Sequence, residues 1–297
     1  MIKKKIKKHI KPLGGIGLFL LLVILLGLSF SNNYNYLKVF VKQNNLSQPV
    51  ASSSAAVNPT PSPTPTPIPI SYSPASSNGI PILTYHYIGN NPNPADKARD
   101  SLEVTPDKFE AQMQYLSTNG FTPITLDTLY SIFNGQSGRP AKAVVLTFDD
   151  GYIDFYTTAF PILRRFNFHA VSFIPTALIG GGYYMNWDQI KEIQSSGLVN
   201  FEAHTVTHVN LTSLSYAAVL KQALDSKNVL QEKTGYPVNF IAYPYGINNN
   251  VVQLAIKEAG FLGGFGTWFG KSAGMGMNMP RIKVSGFWSI EEFASRL

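Results

Sequence analysis

The 297-residue sequence contains no cysteine, which excludes disulfide bonds, thiolate metal sites and a cysteine nucleophile. Charged residues are sparse at 14%, and the formal net charge of +7 is concentrated at one end. Six lysines lie between Lys3 and Lys11 with no acidic residue among them, and without these six the chain has 18 basic residues against 17 acidic ones. Because a nucleic-acid-binding domain carries its basic patch on the folded surface, we expect no nucleic-acid partner.

The N-terminal segment has the features of a membrane anchor. Residues 13–30 form an uncharged apolar run close to the ~20 residues that cross a bilayer as a helix. The basic residues 1–12 predict a cytoplasmic tail, which places the rest of the chain outside the cell. A cleavable signal peptide is the alternative, but its apolar core is usually ~7–15 residues long, and the residues after this run make a poor cleavage site. We therefore expect an uncleaved signal anchor in the cell membrane.

Residues 31–78 predict an extracellular linker rich in serine, threonine and proline. Prolines occupy every second position from Pro59 to Pro69. This pattern favours extended polyproline II conformations of ~3.1 Å per residue, so the segment is expected to act as a semi-rigid spacer. A proline-rich docking motif for a partner is the alternative. The globular domain is expected to comprise residues 79–297.

Strand and helix patterns alternate through residues 79–297. Predicted strands are Ile80–Tyr85, Ala143–Phe148, Ala170–Ile174, Val199–Ala203, Phe240–Tyr243, Leu262–Phe265 and Ile282–Val284. Predicted helices are Thr105–Asn119, Leu126–Phe133, a stretch from Phe155 to Phe166, Trp187–Ser195, Ser215–Lys233, Asn249–Ala259 and Ser289–Leu297. Repeated βα units indicate an α/β domain with a parallel sheet, and about seven strands favour a closed barrel over an open sheet.

Two short motifs supply the candidate chemistry. TFDDG places Asp149 and Asp150 where a predicted strand becomes a loop, the position at which barrel enzymes keep their catalytic groups. HTVTH adds His204 and His208. Two histidines four residues apart are weak evidence alone, because such pairs often pack in or cap a helix. Two carboxylates with two imidazoles, however, form the ligand set of a hydrolytic metal site.

Together with the later YPYG stretch at 243–246, these motifs resemble the polysaccharide deacetylase family in order and approximate spacing. The family is also called the NodB homology domain or carbohydrate esterase family 4, and the resemblance covers about residues 80–284. It implies a distorted (β/α)7-type barrel, in agreement with the strand count. It also implies an enzyme that hydrolyses acetyl groups from glycans.

The resemblance assigns a role to each polar group. Asp150, His204 and His208 would hold a divalent metal and leave positions open for water and substrate. Zinc is the first choice, and cobalt or nickel would also suit imidazole ligands. Asp149 would be the general base, and the backbone N–H of Tyr245 would stabilise the oxyanion. The alternative for the aspartates is that one of them only caps the following helix.

The chain departs from the commoner family pattern at two positions. Many members keep a general-acid histidine near the C-terminal end of the domain, and this chain has none there. His86 lies at the end of the first predicted strand, in a PILTYHYI segment that resembles the biofilm-type poly-N-acetylglucosamine deacetylases. This resemblance implies His86 as the general acid; a core histidine is the alternative. Ala242 stands where most members have an arginine that orients the base. Arg281 would replace that arginine in space, or would be a solvated arginine entering a strand.

Substrate contacts are predicted for Trp187, Tyr243 and Tyr245, whose rings can stack on a sugar. We predict a membrane-anchored, extracellular, monomeric hydrolase that removes N-acetyl groups from N-acetylglucosamine polymers or peptidoglycan. Three alternatives remain open. They are an O-deacetylase acting on acetylated xylan-like glycans, a glycan-binding pseudoenzyme and a structural spacer protein, the last of which the metal-ligand set argues against.

Overall fold

The structure of the chain, a computed structural model, describes residues 79–93 and 95–297. The predicted cytoplasmic tail (1–12), membrane anchor (13–30) and linker (31–78) therefore lie outside the described residues. Within the described ranges, we find no helix with the length and hydrophobicity needed to span a bilayer.

Short strands alternate with helices along the described chain. The strands are Ile82–Tyr85 (β1), Tyr87–Ile88 (β2), Glu103–Val104 (β3), Thr122–Pro123 (β4), Ala143–Asp149 (β5), Ala170–Ile174 (β6), Val199–Ala203 (β7), Phe240–Ala242 (β8), Gly263–Phe265 (β9) and Ile282–Lys283 (β10). The α-helices are Lys97–Asp100 (α1), Pro106–Thr118 (α2), Leu126–Phe133 (α3), Phe160–Phe166 (α4), Trp187–Ser195 (α5), Tyr216–Thr234 (α6), Asn250–Glu258 (α7) and Ile290–Ala294 (α8). A π-helical turn, Phe155–Ala159, leads into α4, and 3₁₀ turns occupy Leu211–Ser213 and Pro244–Gly246.

Local sequence signals set several helix ends. Asn186 caps α5 in a capping box with Gln189, because each side chain bonds the backbone N–H of the other residue. Ser215 caps the start of α6, and Gly235 ends that helix with a left-handed φ of 76°, a conformation that costs glycine little. These signals explain why the predicted bounds of the two helices agree with the structure to within one residue.

The main sheet is entirely parallel and runs in the order β10-β1-β5-β6-β7-β8-β9, with β4 also pairing with β5. Phe173 in β6 contacts Phe265 in β9, with ring centroids 5.5 Å apart, although two strands lie between them. The sheet therefore curls into a half-barrel, and this face is its concave side. The predicted α/β class with a parallel sheet is confirmed.

The curled sheet separates two hydrophobic cores. Along β5, Val144 and Leu146 pack into the core beneath the surrounding helices, whereas Ala143 and Val145 belong to the core on the concave side. This alternation follows from the two-residue period of a strand. A strand covered on both faces reads as a continuous apolar run, as β5 does.

Parallel strands bring their carboxyl ends to one rim of the sheet. The residues that directly follow β1, β5, β7 and β8 are His86, Asp150, His204 and Tyr243. The topology therefore gathers side chains that are up to 157 residues apart in sequence. Sequence patterns did not reveal β2, β3, β4 or α1, because two-residue strands and a four-residue helix are too short to show a period.

Candidate metal centre and its cleft

Two neighbouring carboxylates at the end of β5, those of Asp149 and Asp150, lie in different surroundings. Asp149 is the last residue of the strand, whereas Asp150 and Gly151 both have a left-handed φ of 73°. A Cβ at Gly151 would lie 2.8 Å from Cγ2 of Ile174, so both the conformation and the space require glycine there. A left-handed non-glycine residue such as Asp150 costs ~1–3 kcal/mol, and such strain clusters at functional sites.

Asp149 forms a buried bidentate ion pair with Arg281. Arg281 Nη1 donates to Oδ1 at 2.8 Å, and Nη2 donates to Oδ2 at 2.7 Å. Burial would raise the pKa of the Asp149 carboxyl, but the charge and hydrogen bonds of Arg281 outweigh it and lower the pKa. Asp149 is thus ionised and fixed in orientation.

Arg281 is itself held on three sides. The residue is 0% exposed, so it is not a solvated arginine entering a strand. Its Nε donates to the carbonyl oxygen of Gly266 at 2.9 Å, and its Nη1 also donates to Oγ1 of Thr147 at 3.2 Å. Its guanidinium carbon lies 5.6 Å from the centre of the Phe173 ring. The side chain therefore holds Asp149 from the segment that enters β10, whereas Ala242 lies in β8.

Asp150, His204 and His208 converge on one point. Nε2 of His204 lies 3.3 Å and Nε2 of His208 lies 3.1 Å from Oδ1 of Asp150. One ligand atom from each residue lies within 4.8 Å of the other two. Left-handed φ angles of 67° at Thr205 and 55° at His208 turn the HTVTH segment back on itself, and Oγ1 of Thr205 accepts a hydrogen bond from the His208 N–H.

The donor set fits a divalent cation. Nδ1 of His204 lies 2.8 Å from the carbonyl oxygen of Ala242, and because a carbonyl only accepts, this nitrogen carries the proton. In neutral His204, Nε2 therefore presents a lone pair to Oδ1 of Asp150, a buried oxygen with no hydrogen-bond partner. Lone pairs that face one another in a buried site call for positive charge between them.

The electrostatics of the cluster also favour positive charge. Burial alone would lower the pKa of His204. The neighbouring carboxylates of Asp150 and Asp149 outweigh burial, so the pKa of His204 is raised. Burial opposes ionisation of Asp150, yet the neighbouring imidazoles hold the pKa of that carboxyl well below its usual range. Asp150, His204 and His208 can therefore hold a metal in the manner of a catalytic site with three protein ligands.

These groups line a cleft of about 380 Å³, together with His86. His86 is half-buried and directly follows β1. Burial lowers its pKa, and the charges of Asp149 and Asp150 oppose that shift only in part. His86 thus faces the same cavity as Asp149 and the cluster of Asp150, His204 and His208, as its position at the end of a strand predicted.

Sequence reasoning missed several residues of this cleft. Leu102, Tyr152, Thr267 and Lys283 also line it. The sequence held a signal for Thr267 and Lys283, because each lies at or just beyond the carboxyl end of a predicted strand. Leu102 had no such signal, since it precedes a strand too short to predict.

The three predicted sugar-contacting aromatic residues lie in different environments. Tyr245 is 61% exposed, lines the cleft and packs edge-on against His208, with ring centroids 4.8 Å apart. Tyr243 also lines the cleft, but its ring is buried and its hydroxyl donates to the carbonyl oxygen of Met277. Trp187 does not line this cleft; it packs partly buried against the core beneath the helices. A sugar contact of Trp187 stays a prediction.

The turn after β8 fixes the backbone of Tyr245. The residue has a left-handed φ of 61° within the 3₁₀ turn. A Cβ at the following Gly246 would lie 2.0 Å from Oγ1 of Thr267, so only glycine fits against that side chain. The backbone beside His208 is therefore tightly constrained.

Known proteins share these features. A family model described as "Polysaccharide deacetylase" matches residues 136–263. The matched segment contains both aspartates, both histidines and the 243–246 turn. His86, which lines the cleft, and Arg281, which is buried against Asp149, lie outside the matched segment.

Individual relatives extend the similarity over more of the chain. Bacillus subtilis (strain 168) protein YxkH, provisionally named a polysaccharide deacetylase, is 32% identical over 209 residues, 69% of this chain and 71% of that protein. The poly-β-1,6-N-acetyl-D-glucosamine N-deacetylase of Staphylococcus aureus (strain MRSA252) is 31% identical over 185 residues. That match covers 58% of this chain and 63% of that enzyme, so the chain spans less than two thirds of its length.

A solved structure has the same architecture. The deacetylase PplD of Streptococcus pyogenes, determined in complex with acetate, matches with a TM-score of 0.68 and 30% sequence identity. The match covers 73% of this chain and 97% of that chain.

Proposed function

The chain belongs to the polysaccharide deacetylase family of hydrolases, and on this premise we propose that it removes N-acetyl groups from a cell-surface or extracellular glycan in a metal-dependent reaction. The observation that carries the proposal is the Asp149–Arg281 pair beside the Asp150, His204 and His208 cluster in one cleft. The named activity of the S. aureus relative supports an N-acetylglucosamine polymer as the substrate. Peptidoglycan is the second candidate.

Asp150, His204 and His208 would hold the metal. A divalent ion bound there would act as a Lewis acid, which makes water more acidic and polarises an acetamide carbonyl. Zinc is the proposed ion, since two imidazoles and a carboxylate suit it, and cobalt or nickel would also fit this donor set.

Asp149 is the proposed general base. Its carboxylate lines the cleft, and Arg281 holds both oxygens in place, so its remaining lone pairs can accept a proton from the attacking water. Arg281 has a positioning role in this scheme, because it contacts the base and lies buried behind it. Because Arg281 already orients the carboxylate, the entropic cost of ordering it would not add to the activation free energy of the reaction.

His86 is the proposed general acid for the leaving amine. It faces the same cleft as Asp149, which allows one group to take a proton and the other to deliver one. The charges of Asp149 and Asp150 favour the protonated form of His86 against the effect of burial. The backbone N–H of Tyr245, in its constrained turn, is the proposed donor to the oxyanion.

The position of Arg281 also bears on the pseudoenzyme alternative. That alternative rested on the absence of an arginine at residue 242 and on the absence of a general-acid histidine near the C-terminal end of the domain. Arg281 reaches Asp149 from β10, so the base has its orienting partner by another route. This contact favours an enzyme over a glycan-binding protein.

We further propose the architecture and location that the sequence predicts. The half-barrel would be a distorted (β/α)7-type barrel, and residues 79–297 would form a catalytic domain that acts as a monomer. Residues 1–12 and 13–30 would anchor this domain to the cell membrane, and residues 31–78 would space it on the extracellular side.

Acetate release tests the proposed function. The 297-residue chain would be purified in mild detergent, stripped with a chelator, reloaded with zinc and supplied with N-acetylglucosamine oligomers, peptidoglycan or acetylated xylan. Zinc-dependent release from an N-acetylated substrate is expected, and Asp149→Asn should abolish it while glycan binding survives. Asp107→Asn, at an exposed aspartate outside the cleft, is the matched control. Release from xylan alone would favour the O-deacetylase, and binding without release would favour the pseudoenzyme.

A further inference from the structure

A second cleft adjoins the metal cleft. It has a volume of about 430 Å³, and Tyr152 lines both cavities. Its walls come from β2, the segment around α1, the loop after β5 and the loop before α5. A glycan strand with one sugar at the metal centre would therefore have space for the next sugar here.

Three stacked tyrosines form one wall of this second cleft. The rings of Tyr87 and Tyr152 have centroids 4.0 Å apart, and those of Tyr152 and Tyr184 are 5.3 Å apart. A backbone bridge also pairs Tyr152 with Tyr184, and Arg99 lies over the far face of Tyr87. The result is a rigid wall with apolar ring edges and phenol hydroxyls. Such a combination suits a sugar ring, which presents both C–H groups and hydroxyls.

Asp154 places a largely buried carboxylate in the lining of the second cleft. Its Oδ2 accepts a hydrogen bond from the Ile88 N–H at 3.2 Å, which fixes the side chain. Its Oδ1 is buried and has no hydrogen-bond partner. Burial raises the pKa of this carboxyl to about 6, so ionised Asp154 lacks the solvation that an exposed carboxylate enjoys. Because the two carboxylate oxygens share the charge, a donor on a ligand in the cleft that reaches either of them would reduce that penalty.

The cation that lines this cleft is already engaged. Arg99 Nε donates to Oε2 of Glu103 at 2.6 Å, and the Arg99 guanidinium stacks on Tyr87. Asp96 adds a further carboxylate to the lining. With Asp154 and Asp96 against Arg99, the charged residues that line the cleft have a net negative charge, which favours a cationic donor over a neutral one.

We propose that the second cleft binds the sugar adjacent to the one being deacetylated, and that Asp154 accepts a hydrogen bond from a free amino group on it. This inference rests on the proposed function. The reaction would itself generate that group, since an ammonium replaces each acetamide that is hydrolysed. An ammonium offers three donors and a positive charge, whereas an acetamide offers one N–H and no charge. The enzyme would therefore act preferentially beside a residue that already carries a free amine.

The kinetic test compares oligomers of defined acetylation. Fully acetylated N-acetylglucosamine oligomers are compared with oligomers that carry one glucosamine on either side of an acetylated residue. The zinc-loaded wild type is expected to show a ~10–100-fold higher kcat/KM for one of the two isomers, the range of a charge-assisted hydrogen bond. Asp154→Asn should lose this preference, so that its kcat/KM values for the two isomers differ by less than about threefold. Asparagine keeps an oxygen for the Ile88 N–H, so the fold is preserved, and Asp107→Asn should retain the preference.

The inference is overturned if the wild type prefers neither isomer, or if Asp154→Asn keeps the preference. Calorimetry with the zinc-loaded Asp149→Asn variant provides a test that needs no turnover. That variant should bind glucosamine-containing oligomers more tightly than acetylated ones, and equal affinities would also overturn the inference. Release of acetate from the fully acetylated oligomer tests the proposed function separately, because that substrate has no free amine.

Discussion

Replacing Arg281 by methionine should produce a large loss of stability that does not depend on turnover or on metal. The substitution keeps a long apolar side chain but leaves the carboxylate of Asp149 buried and unpaired. Breaking one side of a buried ion pair costs ~3–5 kcal/mol in free energy of unfolding. For a domain of this size, that corresponds to a fall in melting temperature of roughly 6–20 °C. Thermal or urea unfolding of the two proteins at pH 7 measures the difference.

The pH dependence of stability should change sign at this site. In the wild type, Arg281 lowers the pKa of Asp149. Its contribution is therefore present above the unfolded carboxyl pKa of ~3.9 and is lost as pH falls through the lower folded value. In Arg281→Met, the main group that offsets burial is lost, so the folded pKa of Asp149 rises and protonation stabilises the variant. Its deficit relative to wild type should then shrink as pH falls from 7 toward 4.

A matched substitution separates this effect from the loss of any arginine. Arg165 pairs with Glu110 on the surface, where both side chains are about half exposed, so Arg165→Met should change stability by no more than ~1 kcal/mol. The double variant Asp149→Asn, Arg281→Met should be more stable than the sum of the two single changes implies, because each removes the charge that the other leaves unpaired. The reasoning fails if Arg281→Met unfolds like Arg165→Met and keeps the wild-type pH profile.

Three further predictions concern the cleft. His86→Asn should lower kcat by ~10²–10⁴-fold, as expected for loss of a general acid. Burial lowers the pKa of His86, so this residue should lose its proton as pH rises through a value below ~6.5, and the wild-type kcat/KM should fall there. The His86→Asn variant should not show this fall. Asp150→Asn should weaken zinc binding, seen as lower zinc content after dialysis, and an unchanged content would contradict its role as a ligand. Gly151→Ala should destabilise the fold by more than Gly120→Ala, because both glycines have φ near 72° but only Gly151 lacks room for a Cβ. Equal unfolding midpoints would contradict that steric account.

Helix and strand types were largely predictable, because their signals are local. The strands at 170–174 and 199–203 and the helices at 126–133 and 187–195 have the predicted bounds. Apolar runs, capping residues and terminal glycines act within a few neighbouring residues, so they can be read without knowing the rest of the chain. Three of the four two-residue strands in the described part of the chain, β2, β3 and β4, were missed because two residues cannot show a period.

By themselves, the residue types and spacing of TFDDG, HTVTH and YPYG determined the family resemblance and the candidate metal ligands. Only the tertiary structure decided that Arg281 pairs with Asp149, 132 residues away in sequence. It also decided that His86 lines the metal cleft, and that Trp187 packs against the core and does not line that cleft. It also brought Asp154 and three tyrosines into a second cleft. The physical reason is that a parallel sheet brings distant strand ends to one rim, and neither strand register nor the curl of the sheet is encoded in any local pattern.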